Sequence, residues 1–263
     1  MGDHLDRPRY LSNEIDGMAG SFLGPAYDDE EIGEQLTAAG ACFEYLGDND
    51  LLDRTACALA EERAVGWFQG RMEFGPRALG ARSILADARS PAMQRILNLK
   101  VKYRESFRPF APSVLRDDVA DWFELEVDSP YMLMVADVAE QRRLTMTETE
   151  RRLFGIDKLN VPRSEIPAVT HVDYSARIQT VRRETNPRYY ALLSRFKART
   201  GCPVLVNTSF NVRGEPICCT PEDAFRCFMG SEIDMLVVGN FFLRKEDQDP
   251  ALRLDYRDRF DPD

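Results

Sequence analysis

The chain has 263 residues, 44% hydrophobic and 30% charged, an ordinary globular balance that calls for a packed core and excludes disordered and low-complexity readings. Lys and Arg number 34 against 44 Asp and Glu, a formal charge of -10, which argues against broad attraction to nucleic acid or to an anionic membrane. Any anion site must therefore be local. No stretch approaches the ~18 apolar residues of a spanning helix, and the start carries neither a basic nor an apolar leader, so a cytoplasmic protein is expected. Six cysteines without a C-x-x-C pair predict reduced thiols, and with only two histidines no metal ligand is assigned.

In chain order, residues 1–27 lack periodicity, and 20–25 reads as turn and extended chain. A helix is predicted over 28–39, where acids crowd the first turn, Ile32 and Leu36 recur at helical spacing and Gly40 supplies a stop. A second follows Asp48-Asn49-Asp50, with Leu52, Ala56, Leu59 and Ala60 as its apolar stripe, before a strand at 64–68. Further strands are predicted at 82–85, 110–115, 131–138, 168–172, 178–181, 203–207 and 234–243, and helices at 91–99, 117–123, 187–200 and 221–229. The last helix has Thr220 as cap and Pro221 at its first position. Some successive strands lie too close for a helical crossover, which predicts an α/β fold with a mixed sheet. The charged stretch 139–166 reads as an excursion or lid.

The chemistry concentrates between residues 69 and 108, where nine bases face three acids. Arg71, Arg77 and Arg82 surround Gly-Pro and Gly turns in an otherwise apolar segment, a setting suited to forked recognition of phosphate oxygens. In Lys102-Tyr103-Arg104-Glu105-Ser106-Phe107-Arg108, an extended backbone would place Lys102, Arg104 and Arg108 on one face and Tyr103 and Phe107 on the other. Arg89, outside these motifs, is expected to contribute little. An apolar strand runs into Asn207-Thr208-Ser209-Phe210-Asn211, a common form for a ligand-contacting strand end. No G-x-S-x-G elbow surrounds Ser209, which argues against hydrolase chemistry. A turn at Tyr174-Ser175 would join two strands and project Arg177 and Gln179 to one face, while His171 reads as a structural histidine. Taken singly, a solvated basic face or a plain turn would account for each piece.

Together the runs 71–85, 102–112, 171–181 and 207–217 resemble the C-terminal part of the O-carbamoyltransferases typified by nodulation and antibiotic-tailoring enzymes. Lys102-Tyr103-Arg104 and Ser209-Phe210-Asn211 look like the K-x-R and S-x-N signatures of the YrdC group. The resemblance implies a YrdC/Sua5-like twisted mixed sheet flanked by helices over residues 41–263, with 1–40 an N-terminal arm, the tail of a missing Kae1-like domain. It also implies formation of carbamoyl adenylate from ATP and carbamoyl phosphate, with Mg²⁺, for transfer of the carbamoyl group to an alcohol by a Kae1-like domain or subunit.

Carried over by motif, Lys102, Arg108 and Arg77 would be the catalytic residues. Arg71, Arg82, Arg104, Arg177, Gln179, Asn207, Ser209 and Asn211 are the substrate and nucleotide contacts. Tyr174 departs from the pattern, since that turn usually carries Gly. A non-catalytic nucleotide-binding partner subunit is the alternative reading, and RNA binding a third that the acidic total disfavours.

Overall fold

The computed structural model describes residues 18–253, apart from 107 and 213. Residues 1–17 of the expected arm, and Phe107 of the expected cationic row, lie outside the described residues. The strands are β1 (Glu44–Tyr45), β2 (Val65–Phe68), β3 (Arg82–Asp87), β4 (Ala111–Leu115), β5 (Met134–Asp137), β6 (Ser175–Val181), β7 (Val204–Ser209), β8 (Met235–Val238) and β9 (Phe241–Arg244). The α-helices are α1 (Asp29–Ala38), α2 (Asp48–Ala60), α3 (Met93–Lys100), α4 (Val119–Trp122), α5 (Glu148–Arg151), α6 (Gly155–Leu159), α7 (Pro187–Thr200) and α8 (Pro221–Gly230).

Local chemistry explains the long helices. Asp28 and Glu31 close a capping box on α1, and Thr220 and Asp223 close one on α8, in each case satisfying backbone N–H groups that a helix start leaves free. α7 begins on the Asn186 side chain and ends at Gly201, whose φ of 76° is the left-handed conformation that glycine adopts without a Cβ penalty. Each helix then buries an apolar stripe: Ile32 and Leu36 on α1, Leu51, Leu52, Ala56 and Leu59 on α2, and Leu192, Leu193 and Phe196 on α7.

All nine strands form one sheet in the order β1-β9-β8-β2-β3-β7-β4-β6-β5. β2 runs parallel to β8 and β4 parallel to β6, while the remaining pairs are antiparallel. The chain thus forms the mixed α/β sheet with helices that its spacing predicts. Every residue of β2 and β3 is buried, so both faces of the sheet centre are covered. α2 packs on α7, and α8 against α1, β2 and β8. No helix among the described residues is long and apolar enough to cross a membrane.

Three element expectations are corrected. Residues 168–172 form no strand; a 3-10 turn at Pro167–Val169 stands there, opened by a proline that has no N–H for a ladder. The single strand expected at 234–243 is the hairpin β8–β9, because Gly239 takes a φ of 54° and Val238 pairs back onto Phe241. The helix expected at 117–123 is a 3-10 turn, Arg116–Asp118, leading into the one-turn α4. The charged stretch 139–166 holds only short helical turns, α5 and α6 among them.

Candidate functional site

A cleft of about 500 Å³ opens where β7 ends and the parallel strands β4 and β6 begin. Arg77 reaches it from the loop before β3, Arg104 and Arg108 from the segment between α3 and β4, and Arg177 from β6. Asn207, Thr208 and Ser209 supply the end of β7, Phe110, Ala111, Met132 and Val135 an apolar wall, and His171 one rim. Among the described residues no carboxylate lines the cleft. Burial lowers the pKa of Arg177, and the like charge of Arg77 adds to the effect. Arg104 is pulled down to about 10 by burial and by Arg108. Like-charged guanidiniums gathered without a carboxylate are stabilised when an anion arrives, so the arrangement can bind phosphate groups and offset charge developing on them.

Three predicted contacts stand behind this wall and brace it. Lys102 is buried, and its Nζ donates to Ser209 O at 2.5 Å, Asn211 Oδ1 at 2.7 Å and Asn211 O at 2.9 Å. Ser209 Oγ donates to Asn211 Oδ1 at 2.7 Å, so Lys102 and Asn211 together hold the strand end. Gln179 is buried beside Asn207, accepting from its Nδ2 at 2.8 Å. Lys102, Arg104 and Arg108 therefore do not share one face. The segment is not extended: Tyr103 takes a φ of 47° and Arg104 N donates to Asn98 O, which breaks the alternation and turns Lys102 inward.

Two predicted contacts lie elsewhere. Arg71 Nη1 donates to Gly24 O at 2.9 Å on the exposed side of its loop. Arg82 is fully buried, donates to the carbonyls of Pro25, Gln69, Gly70 and Ala81, and stacks on Phe68 at 3.4 Å. The reason is strand alternation. Ser83 pairs opposite Ser209, so the adjacent Arg82 points to the other face of the sheet. Burial brings the Arg82 pKa down to about 10. Arg89 does not line the cleft and forms a forked pair with the buried Asp87 at 2.6 Å and 3.0 Å.

Two residues that organise the cleft were not singled out from sequence. Glu73, 2% exposed, accepts through Oε1 from the N–H groups of Leu79, Ala81 and Arg82 and so ties down the loop that presents Arg77. Asn98 of α3 is buried, accepts from Arg104 Nε at 2.6 Å and donates to the carbonyls of Ser106 and Arg108, fixing the arc that carries two of the arginines. The available signal was a polar residue inside an apolar stretch, Glu73 between Met72 and Phe74 and Asn98 between Leu97 and Leu99. Between them the chain must close on itself: a Cβ on Gly80 would stand 2.3 Å from the Tyr189 ring, so only glycine fits. Tyr174 takes a φ of 67° in the turn where glycine is usual, with the Arg143 guanidinium 5.1 Å over its ring, and it does not line the cleft.

An uncharacterized protein of Synechocystis sp. is 62% identical over 247 residues, covering 91% of this chain and 40% of that protein. The nodulation protein NolNO of Sinorhizobium fredii is 41% identical over 233 residues, 87% of this chain and 31% of that protein. The 3'-hydroxymethylcephem-O-carbamoyltransferase of Streptomyces clavuligerus is 40% identical over 188 residues, 72% of this chain and 32% of that enzyme. The chain thus spans well under half the length of these relatives. The profile of one family, described as Carbamoyltransferase C-terminus, covers residues 56–245, which include β2 through β9 and every residue lining the cleft; to that carbamoyltransferase family the chain belongs.

Proposed function

We propose that this chain is the adenylate-forming part of a carbamoyltransferase, making carbamoyl adenylate from ATP and carbamoyl phosphate for transfer to an alcohol. The observation that carries the reading is the convergence of Arg77, Arg104, Arg108 and Arg177 on one cleft without a carboxylate. Overall, carbamoyl phosphate, ATP and one water become carbamoyl adenylate, phosphate and pyrophosphate. The bond-forming step, attack of a carbamoyl oxygen on the α-phosphorus with pyrophosphate leaving, asks little of acid–base groups. It asks for two anions held together and for stabilisation of the leaving charge, which rigid guanidiniums provide.

An adjoining groove of about 640 Å³, sharing Pro109 and His171 with the cleft, offers room for the nucleoside. His171 belongs to this shared wall rather than to proton transfer; burial lowers its pKa, which favours a neutral imidazole beside the arginines. The residues present do not make a resident magnesium site. The cleft has no carboxylate, and no group of three or more His, Cys, Asp or Glu that could hold a metal exists among the described residues. Magnesium then enters on the phosphates of ATP, as part of the substrate.

Transfer to the alcohol we assign to a Kae1-like domain or partner subunit, a division supported by the greater length of the relatives. Residues 1–40 would form the arm leading to it and 41–263 the YrdC-like domain. A cytoplasmic setting fits six free thiols. The test is to incubate the chain with ATP, Mg²⁺ and carbamoyl phosphate. Pyrophosphate and AMP are expected without carbamoylated alcohol. Binding of ATP without turnover would instead identify a non-catalytic nucleotide-binding subunit.

A further inference from the structure

Two buried atoms in residues lining the cleft have no hydrogen-bond partner among the described residues: Arg177 Nε, a donor, and Asn207 Oδ1, an acceptor. We infer that this pair reads the amide of a carbamoyl group, Arg177 donating to its oxygen and Asn207 Oδ1 accepting from its NH₂, so that Asn207 separates carbamoyl phosphate from acyl phosphates of the same shape. The inference rests on the reading of the site proposed above and adds a specificity-determining residue to it.

The orientation of Asn207 is imposed by its neighbours. Both hydrogens of its Nδ2 are used, on Ala78 O at 3.1 Å and on Gln179 Oε1 at 2.8 Å. Gln179 in turn is locked, because its Oε1 also accepts from Ser113 Oγ at 2.5 Å and its Nε2 donates to Leu79 O at 2.8 Å. Turning the Asn207 amide over would set its oxygen against two acceptors, so the leftover atom is an acceptor by necessity. Asn207 is 1% exposed, and water does not reach this atom freely. A ligand without an N–H or O–H at this place leaves it unmet.

The two unmet groups flank the same short strand. Asn207 pairs opposite Ala111 on β4, and Arg177 precedes by two residues the Gln179 that pairs with Ser113, just as Ala111 precedes Ser113 by two. Both side chains therefore rise from one face of the sheet, two strand spacings or about 10 Å apart at the backbone. Ala111 lies between them with only a methyl group, which leaves the floor open. A planar group presenting an acceptor on one side and a donor on the other matches them, and Arg77, Arg104 and Arg108 remain for its phosphate. Acetyl phosphate has the same outline but a methyl where carbamoyl phosphate has NH₂, and offers Asn207 nothing.

The test is calorimetric titration of the chain with carbamoyl phosphate, acetyl phosphate and inorganic phosphate. Carbamoyl phosphate is expected to bind roughly ten- to a hundred-fold more tightly than acetyl phosphate, the cost of one buried unmet group. In Asn207→Ala the two affinities are expected to converge, and inorganic phosphate, which meets only the arginines, reports whether the cleft of that protein is intact. Equal affinities in the unsubstituted chain, or an undiminished preference in a folded Asn207→Ala, overturn the inference and leave adenylate formation standing. Failure to bind carbamoyl phosphate with or without ATP overturns both. Should Asn207→Ala not fold, the comparison of ligands on the unsubstituted chain decides alone.

Discussion

Lys102 Nζ lies 2.7 Å from Asn211 Oδ1, joining two motifs 109 residues apart in the chain. The ammonium reaches two backbone carbonyls and one amide oxygen, with Ser209 Oγ at 3.3 Å as a fourth neighbour. None of these oxygens belongs to a carboxylate. The contact therefore braces the end of β7, where Ser209 enters the cleft, and makes Lys102 a positioning residue.

Its titration is a direct check. Burial pulls the Lys102 pKa from 10.5 down to about 7, and the like charge of Arg104 adds to this. Between these values the unfolded chain binds more protons than the folded one, so this group's contribution to stability rises with pH from about 7 toward 10. Denaturant unfolding of the protein and of Lys102→Met across pH 7–9 is expected to show the unsubstituted chain gaining relative to the variant. A difference between the two proteins that stays constant across this range would mean that Lys102 keeps its proton in the folded state.

The cleft arginines differ from their neighbours in sequence. Arg77→Ala and Arg177→Ala are each expected to weaken carbamoyl phosphate binding by about ten-fold or more, the range for one charge-assisted hydrogen bond. The salt dependence of binding should flatten as well. Arg71→Ala, which removes only a contact to Gly24 O, should leave affinity unchanged. Titrations at two ionic strengths separate the outcomes; equal losses in all three variants would mean that long-range charge dominates over placement.

Glu73→Ala strips the acceptor from three buried N–H groups and is expected to cost about 2–3 kcal/mol in urea unfolding, with weaker anion binding because the Arg77 loop loosens. Glu73→Gln keeps a carbonyl oxygen at the same place and should recover much of both. Recovery of neither would show that the negative charge itself is required beside Arg82.

Arg89→Ala leaves the Asp87 carboxylate, 2% exposed, with the backbone N–H of residue 89 but without its charged partner. The partial exposure of the guanidinium tempers the effect, and a loss of about 1–2 kcal/mol is expected. Anion affinity should not change, since Arg89 does not line the cleft. Thermal unfolding and titration on one preparation check both halves.

What the sequence by itself determined is what short-range interactions decide. The box of Thr220 and Asp223, the start of α7 at Pro187 and its end at Gly201 each depend on residues within a few positions, and their signals are readable as written. So are the apolar runs of β3, β4 and β7, and the mixed character of the sheet. The Gly239-Asn240 turn was equally local but lay inside a long apolar run, where periodicity does not separate one strand from two.

What only the tertiary structure decided is which of several similar side chains meets the cleft. Lys102 and Arg104, or Arg77 and Arg82, are alike as bases on glycine- or aromatic-rich segments. Yet the left-handed turn at Tyr103 and the pairing of Ser83 with Ser209 send one of each pair inward or to the opposite face. Ser209 and Asn211, the partners that hold Lys102 inward, come from more than a hundred residues away, while Asn98 fixes Arg104 from the helix just before it. Burial is a property of everything that folds around a residue, and no window of sequence contains it.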